Sequence, residues 1–222
     1  MIIAIDGPAG SGKSTVAREV ARRLGFTYLD SGAMYRAVTL AALDSGTDLD
    51  DGPALGLIAE RLGIELRRRD DDNAQVFVDG RDVSDEIREP HVTGASSRVA
   101  AHPDVRRAML DKQRDLIKAG DYVVEGRDIG TVVAPDAPVK AFLTADPGER
   151  ARRRAAELER RGVSIQHDEV RSAIEQRDML DSTRSAAPLR QADDAELIDT
   201  TQLTAAAVAD RIVELAKAAS GR

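Results

Sequence analysis

A chain of 222 residues can bury a core of its own and favours one domain with room for an insertion. It has no Cys, which excludes a disulfide framework and a thiolate zinc site and suits a reducing compartment; its three His (His91, His102, His167) are too scattered for a His-based metal centre. A net charge of −7, with three Phe, three Tyr and no Trp, argues against nucleic acid as a partner, since that needs clustered positive charge and stacking platforms.

Met1 to Asp6 is a continuous apolar run, the pattern of a strand buried on both faces. It carries no basic flank and is far too short to span a bilayer, so a soluble cytoplasmic protein with no membrane partner is expected. Gly7-Pro8-Ala9-Gly10-Ser11-Gly12-Lys13-Ser14 follows and fits G-x-x-x-x-G-K-[ST]. Lys13 to Leu24 then has helical spacing, with Val16, Val20 and Leu24 on one face. A strand, this loop and a helix in that order make a phosphate cradle. Backbone N–H groups turn inward around the oxygens, Lys13 reaches the β- and γ-phosphates, and Ser14 can ligate Mg²⁺.

Phe26 to Leu29 reads as a second short strand, and Ala33 to Leu43 as a second helix. Between and across them runs LDSGAMYR, with Asp30, Ser31, Tyr35 and Arg36 in one loop and one turn. Gly63 to Ser84 alternates apolar and polar residues, with an acidic turn at Asp70-Asp71-Asp72-Asn73 and a hairpin dipeptide at Asp79-Gly80; it predicts a small antiparallel meander. The acidic turn is read as solvated, because three adjacent carboxylates cannot all face one ion.

Three further strands are predicted over Asp121 to Glu125, Val139 to Leu143 and Ala195 to Thr200. Helices are predicted over Pro147 to Arg161, Asp168 to Leu180 and Thr204 to Ala219. This alternation implies an α/β fold: a five-stranded parallel sheet with right-handed crossovers and helices on both faces. Ligands bind beyond the carboxyl ends of such strands, so Gly7, Leu29 and Gly126 lie on the functional rim.

A phosphate loop names a nucleotide and leaves the reaction open. The sole Asn is Asn73, so the N-K-x-D box of a GTPase is absent. Basic residues are 27 Arg and only 5 Lys, and several Arg fall near strand ends: Arg36, Arg127, the run Arg150 to Arg154, and Arg177 with Arg184 around Asp181. A kinase for a small phosphorylated acceptor must bring two anionic phosphates into line, and bidentate guanidinium groups suit that task. The exposed face of a helix is the competing reading for the middle run, accepted for Arg152.

The blocks GPAGSGKST, YLDSGAMYRA, SSRVAAHPDVR, EGRDIGTVVAPDAPVK and RDMLDSTRSAAPL closely resemble the bacterial cytidylate kinases of the nucleoside-monophosphate kinase group. They stand in that family's order, cover nearly the whole chain and include a meander in the family's place. The resemblance implies a P-loop NTPase fold with a helical lid at 150–165 and an acceptor-nucleotide region at 33–120 within a single 1–222 domain. It implies ATP held by Gly7 to Ser14 and Thr15, with Mg²⁺ at Ser14, partly through water. It places Ser31 and Arg36 against CMP or dCMP, with Ser97, Arg106 and Asp128 facing the pyrimidine. Arg127, Arg177, Asp181 and Arg184 form the ring around sugar and phosphates, and Arg153 closes over ATP. Lys13, Arg127, Arg153 and Arg177 are the catalytic group. Glu125 stands where the family often has Asp, and either carboxylate can hold a Mg²⁺ water.

Chemistry supports the base assignment independently. Cytosine offers an N4 amino donor to Asp128 and acceptors at O2 and N3 to Arg106 or Ser97, whereas uracil would aim an oxygen at the carboxylate. A local salt bridge from Arg127 is the bland alternative for Asp128, and packing is that for Tyr35. A monomer is expected. Two other functions stay open: a P-loop kinase for another acceptor such as UMP, and a non-catalytic ATP-binding regulator.

Overall fold

In the computed structural model, residues 1–68, 74–160, 162–163 and 166–221 are described. Five parallel strands form the central sheet: β1 (Ile2–Asp6), β2 (Thr27–Asp30), β6 (Tyr122–Gly126), β7 (Val139–Thr144) and β8 (Glu196–Asp199), in the order β2-β6-β1-β7-β8. β1 lies at the centre because its Ile3, Ala4 and Ile5 are wholly buried on both faces. Ile3 and Ile5 pack against Val16 and Val20 of α1 (Lys13–Leu24) and Ile212 of α8 (Ala205–Ser220). Ala4, with Leu29 and Val124, faces Ile117 of α5 (Pro103–Ile117) and Ile129. Helices therefore cover both faces, as the alternating pattern predicts.

The second core lies between α2 (Ser31–Asp44), α3 (Gly52–Arg61), α4 (Pro90–Ala101) and α5, around Met34, Val38, Leu55, Ile87 and Met109. The meander packs here through Val76: β3 (Ile64–Arg68), β4 (Ala74–Val78) and β5 (Arg81–Asp82) form an antiparallel sheet. Its acidic turn, Asp70 to Asn73, lies outside the described residues. Of the stretch 150–165 expected to form the lid, residues 150–160 lie in α6 (Pro147–Arg160), which packs on α7 (His167–Thr183) through Ala151, Leu158, Val170 and Ile174; Arg161, Ser164 and Ile165 lie outside the described residues. Among the described residues, no helix is long and apolar enough to cross a membrane.

Two features differ from the sequence reading. LDSGAMYR contains no loop: β2 ends at Asp30 and α2 begins at Ser31. Asp30 is the N-cap, its carboxylate accepting from Ala33 N at 3.1 Å, so strand passes directly into helix. Strands β2 and β6 also run one residue further than their apolar runs, because parallel pairing continues through Asp30↔Glu125 and Asp6↔Gly126. Helices α3, α4 and α5 carry no assignment in the sequence reading. Pro90 and Pro103 start α4 and α5, at positions where a missing N–H costs nothing.

Candidate active site

The phosphate loop turns on Gly7, whose φ is +147° and where a Cβ would stand 2.1 Å from Leu143 O of β7. Only glycine lets β1 leave the sheet that tightly. Lys13 opens α1 and folds back over the loop, its Nζ donating to Pro8 O at 2.6 Å. Burial, followed by the charge of Arg127, pushes the Lys13 ammonium down to about 7. The first N–H groups of α1 have no acceptor within the helix, which makes this end receptive to an anion.

Behind the loop, three strand ends bring carboxylates together. Glu125 accepts from Ser14 Oγ at 2.9 Å and from the Tyr28 hydroxyl. Burial, then the nearby Asp30 charge, raises its pKa, and burial drives the Tyr28 hydroxyl well up. Asp6 accepts from Ile129 N at 2.9 Å and Gly130 N at 2.7 Å, fixing the single π-turn Ile129–Val133 that follows Asp128; burial raises its carboxyl to about 6 against those two bonds. The Ser14 hydroxyl and Glu125 carboxylate are hard oxygen donors at the mouth of the loop, and among the described residues no set of three His, Cys, Asp or Glu forms an all-protein cage. That donor set fits Mg²⁺, which keeps several waters and shares its coordination with phosphates.

On the facing side, buried arginines are paired in a fixed pattern. Arg36 NH2 meets Asp30 at 2.7 Å; burial alone would raise Asp30, but Arg36 holds it below the usual carboxylate range. Arg106 binds Asp128, and Arg127 Nε donates to Asp181 Oδ2 at 2.8 Å. Arg184 lies 3.6 Å from both Asp128 and Asp181. The local Arg127 to Asp128 bridge weighed from sequence is thus not the arrangement adopted. Among the described residues Arg177 joins no ion pair. Its Nε, like those of Arg36 and Arg106, is buried without a hydrogen-bond partner, and burial followed by Arg127 lowers its guanidinium to about 10.

Ser31 is buried with its Oγ donating to Glu125 O at 2.7 Å, and Ser97 is buried on α4. Tyr35 packs in the second core while its ring lies under the Arg106 guanidinium, 5.2 Å from the centroid. The packing role weighed for Tyr35 therefore includes support of Arg106.

Arg153 stands apart from this ring. It is tied to Glu149 at 2.8 Å, Thr200 Oγ at 2.9 Å and Thr200 O at 2.7 Å. With Gly12, Thr15, Thr200 and Leu203 it borders an open cleft of about 890 Å³ between α1 and α8. Thr200 is a site residue that the sequence reading passed over as backbone only. Its hydroxyl also lies 3.0 Å from Ser11 O and from Thr144 O, joining the phosphate loop to β7 and β8. A polar residue at a strand's carboxyl end was the available signal. Of the remaining run, Arg152 and Arg154 pair with Glu149 and Glu157, and Arg152 faces solvent as expected.

A family model described as "Cytidylate kinase" matches residues 3–218. The chain is 50% identical to the cytidylate kinase of Pelotomaculum thermopropionicum over 99% of its own length and 96% of that protein. It is 48% identical to that of Shouchella clausii, over 97% and 95% of the two chains. It is also 51% identical to the bifunctional pantoate ligase/cytidylate kinase of Synechococcus sp. WH7803, covering 96% of this chain and 44% of that longer protein. Among solved structures, an uncharacterized protein from Eubacterium ventriosum shares the fold with a TM-score of 0.54 at 13% identity, over 100% and 99% of the chains. The chain belongs to the cytidylate kinase family and is a nucleotide-directed phosphotransferase.

Proposed function

We propose that the protein transfers the γ-phosphoryl group of ATP to CMP or dCMP with Mg²⁺, giving ADP and CDP or dCDP. One observation carries this reading: Lys13 of the phosphate loop and Arg127 and Arg177 of the facing wall share one buried site, each lowering or opposing the next charge. Positive charge crowded this closely is suited to two phosphate groups meeting end to end. A non-catalytic ATP sensor needs no second set of arginines.

In this reading the loop from Gly7 to Thr15 holds the donor phosphates, and the cleft at Thr200 and Leu203 takes the adenosine. Mg²⁺, when bound beside Ser14 and Glu125, shares the phosphate charge and so favours its transfer. Arg36, Arg127 and Arg177 bind and orient the acceptor phosphate, whose attacking oxygen is already ionised; no general base is required. Asp181 accepts from ribose hydroxyls loosely enough to admit deoxyribose. Asp128 and Arg106, with Ser97, read the pyrimidine edge. Arg153 and Lys13 neutralise charge that develops in transfer, and closure over residues 150–165 keeps water out. Residues 33–120 supply Arg36, Ser97 and Arg106 to the acceptor wall.

A coupled ADP-release assay with CMP, dCMP, UMP, AMP and GMP tests the proposal. Fast turnover with CMP and dCMP is expected, and comparable rates with AMP or GMP, or none with CMP, would overturn it.

A further inference from the structure

The tip of the phosphate loop is gripped from outside the site. Ala9 packs its methyl among Ala151, Leu158, Val170 and Ile174, the seam between α6 and α7. Its N–H donates to Asp178 Oδ1 of α7 at 3.1 Å, and its carbonyl accepts from Arg150 NH1 of α6 at 3.2 Å. Arg150 and Asp178 are themselves an ion pair, and Arg150 Nε reaches Ala145 O at 3.2 Å. The result is a closed ring through Ala9 N, Asp178, Arg150 and Ala9 O. Gly10 next along has φ +75°, and a Cβ there would lie 2.8 Å from Arg150 O, so the loop rests on the first turn of α6.

Both polar groups of Ala9 are thus committed to α6 and α7, whereas the first amides of α1 have no acceptor within the helix and stay available to the donor phosphates. Arg150 is buried and Asp178 largely so, which makes their bonds strong and their geometry restrictive. We propose that Arg150 and Asp178 are a pair of positioning residues that hold the phosphate loop in its donor-binding shape and tie that shape to the packing of α6 on α7. The proposal rests on the reading of the loop as the ATP site. It gives two of the run's four arginines separate duties: Arg150 shapes the loop, while Arg153 borders the adenosine cleft. Neither Arg150 nor Asp178 touches the reacting atoms.

Steady-state kinetics on Arg150→Met, Asp178→Ala and the double variant test it, alongside calorimetric binding of a non-hydrolysable ATP analogue and CMP to each. The expected result is KM for ATP and Kd for the analogue raised at least tenfold, with CMP constants within twofold. Because one ring is broken in every case, the double variant should lie within twofold of the worse single one. Arg150→Lys, the milder change, keeps the charge but cannot make all three contacts, and it should show the same split at smaller size even if Arg150→Met folds poorly. ATP and CMP constants rising together, a loss confined to kcat, multiplicative effects in the double variant, or no change would each overturn the clamp. Absence of CMP-dependent ADP formation by the unaltered protein would instead overturn the reading on which the clamp rests.

Discussion

Arg127 reaches across to Asp181, with Nε 2.8 Å from Oδ2, and thereby leaves its chain neighbour Asp128 to Arg106. Two adjacent residues of one turn thus join two different partners, and in the proposed reaction one would face phosphate and sugar and the other the base. The turn can do this because Asp6 fixes its far side through the Ile129 and Gly130 amides.

Asp128→Asn removes the charge that would repel a uracil oxygen and gives the side chain a donor. The ratio of kcat/KM for CMP over UMP is expected to fall about 10- to 100-fold, the size of one mispaired buried hydrogen bond. Rates for both nucleotides settle the matter, and an unchanged ratio would take Asp128 out of base reading.

The Lys13 ammonium, held down to about 7, is already charged below that pH and loses its proton as pH rises through it. An anionic phosphate favours the charged form, so binding raises the pKa and takes up a proton. Affinity for an ATP analogue should therefore weaken above pH 7, by up to about tenfold per pH unit. Calorimetry at pH 7.5 in buffers of differing ionisation heat should show net proton uptake, and Lys13→Met should abolish it.

Arg177 is half-buried beside Arg127, with its Nε buried and unpaired. Arg177→Met should lower kcat about 10³-fold, on the order of 4 kcal/mol of charge stabilisation lost from transfer. The same change relieves like-charge crowding, so thermal unfolding should move up by about 2–4 °C per kcal/mol gained. A fall in Tm with activity intact would assign Arg177 to the scaffold instead.

Asp30 both caps α2 and neutralises buried Arg36. Asp30→Ala should cost about 3–5 kcal/mol, chiefly from the stranded guanidinium, with about 1 kcal/mol from the cap. Asp30→Asn keeps the cap acceptor and should recover about that last part. Urea unfolding of both variants separates the two contributions; equal losses would mean that the cap contributes nothing.

The sequence by itself determined the strand, loop and helix that open the chain, the parallel alternation and the meander. Each follows from local pattern: a buried apolar run, glycines where the backbone must turn, period-2 alternation before a hairpin dipeptide. It also placed the phosphate loop and the arginines of the facing wall on one rim, since strand ends of a parallel sheet converge there. The tertiary structure decided the partners. Which guanidinium meets which carboxylate depends on helices α4, α5 and α7 arriving from distant parts of the chain, and no local rule pairs Arg106 with Asp128 rather than Arg127 with it. The same holds for Thr200, for Asp6, and for Arg150, which lies among arginines of similar spacing yet is buried against Ala9 and Asp178. Buried charges in low dielectric must find a partner, and which partner they find is fixed by packing.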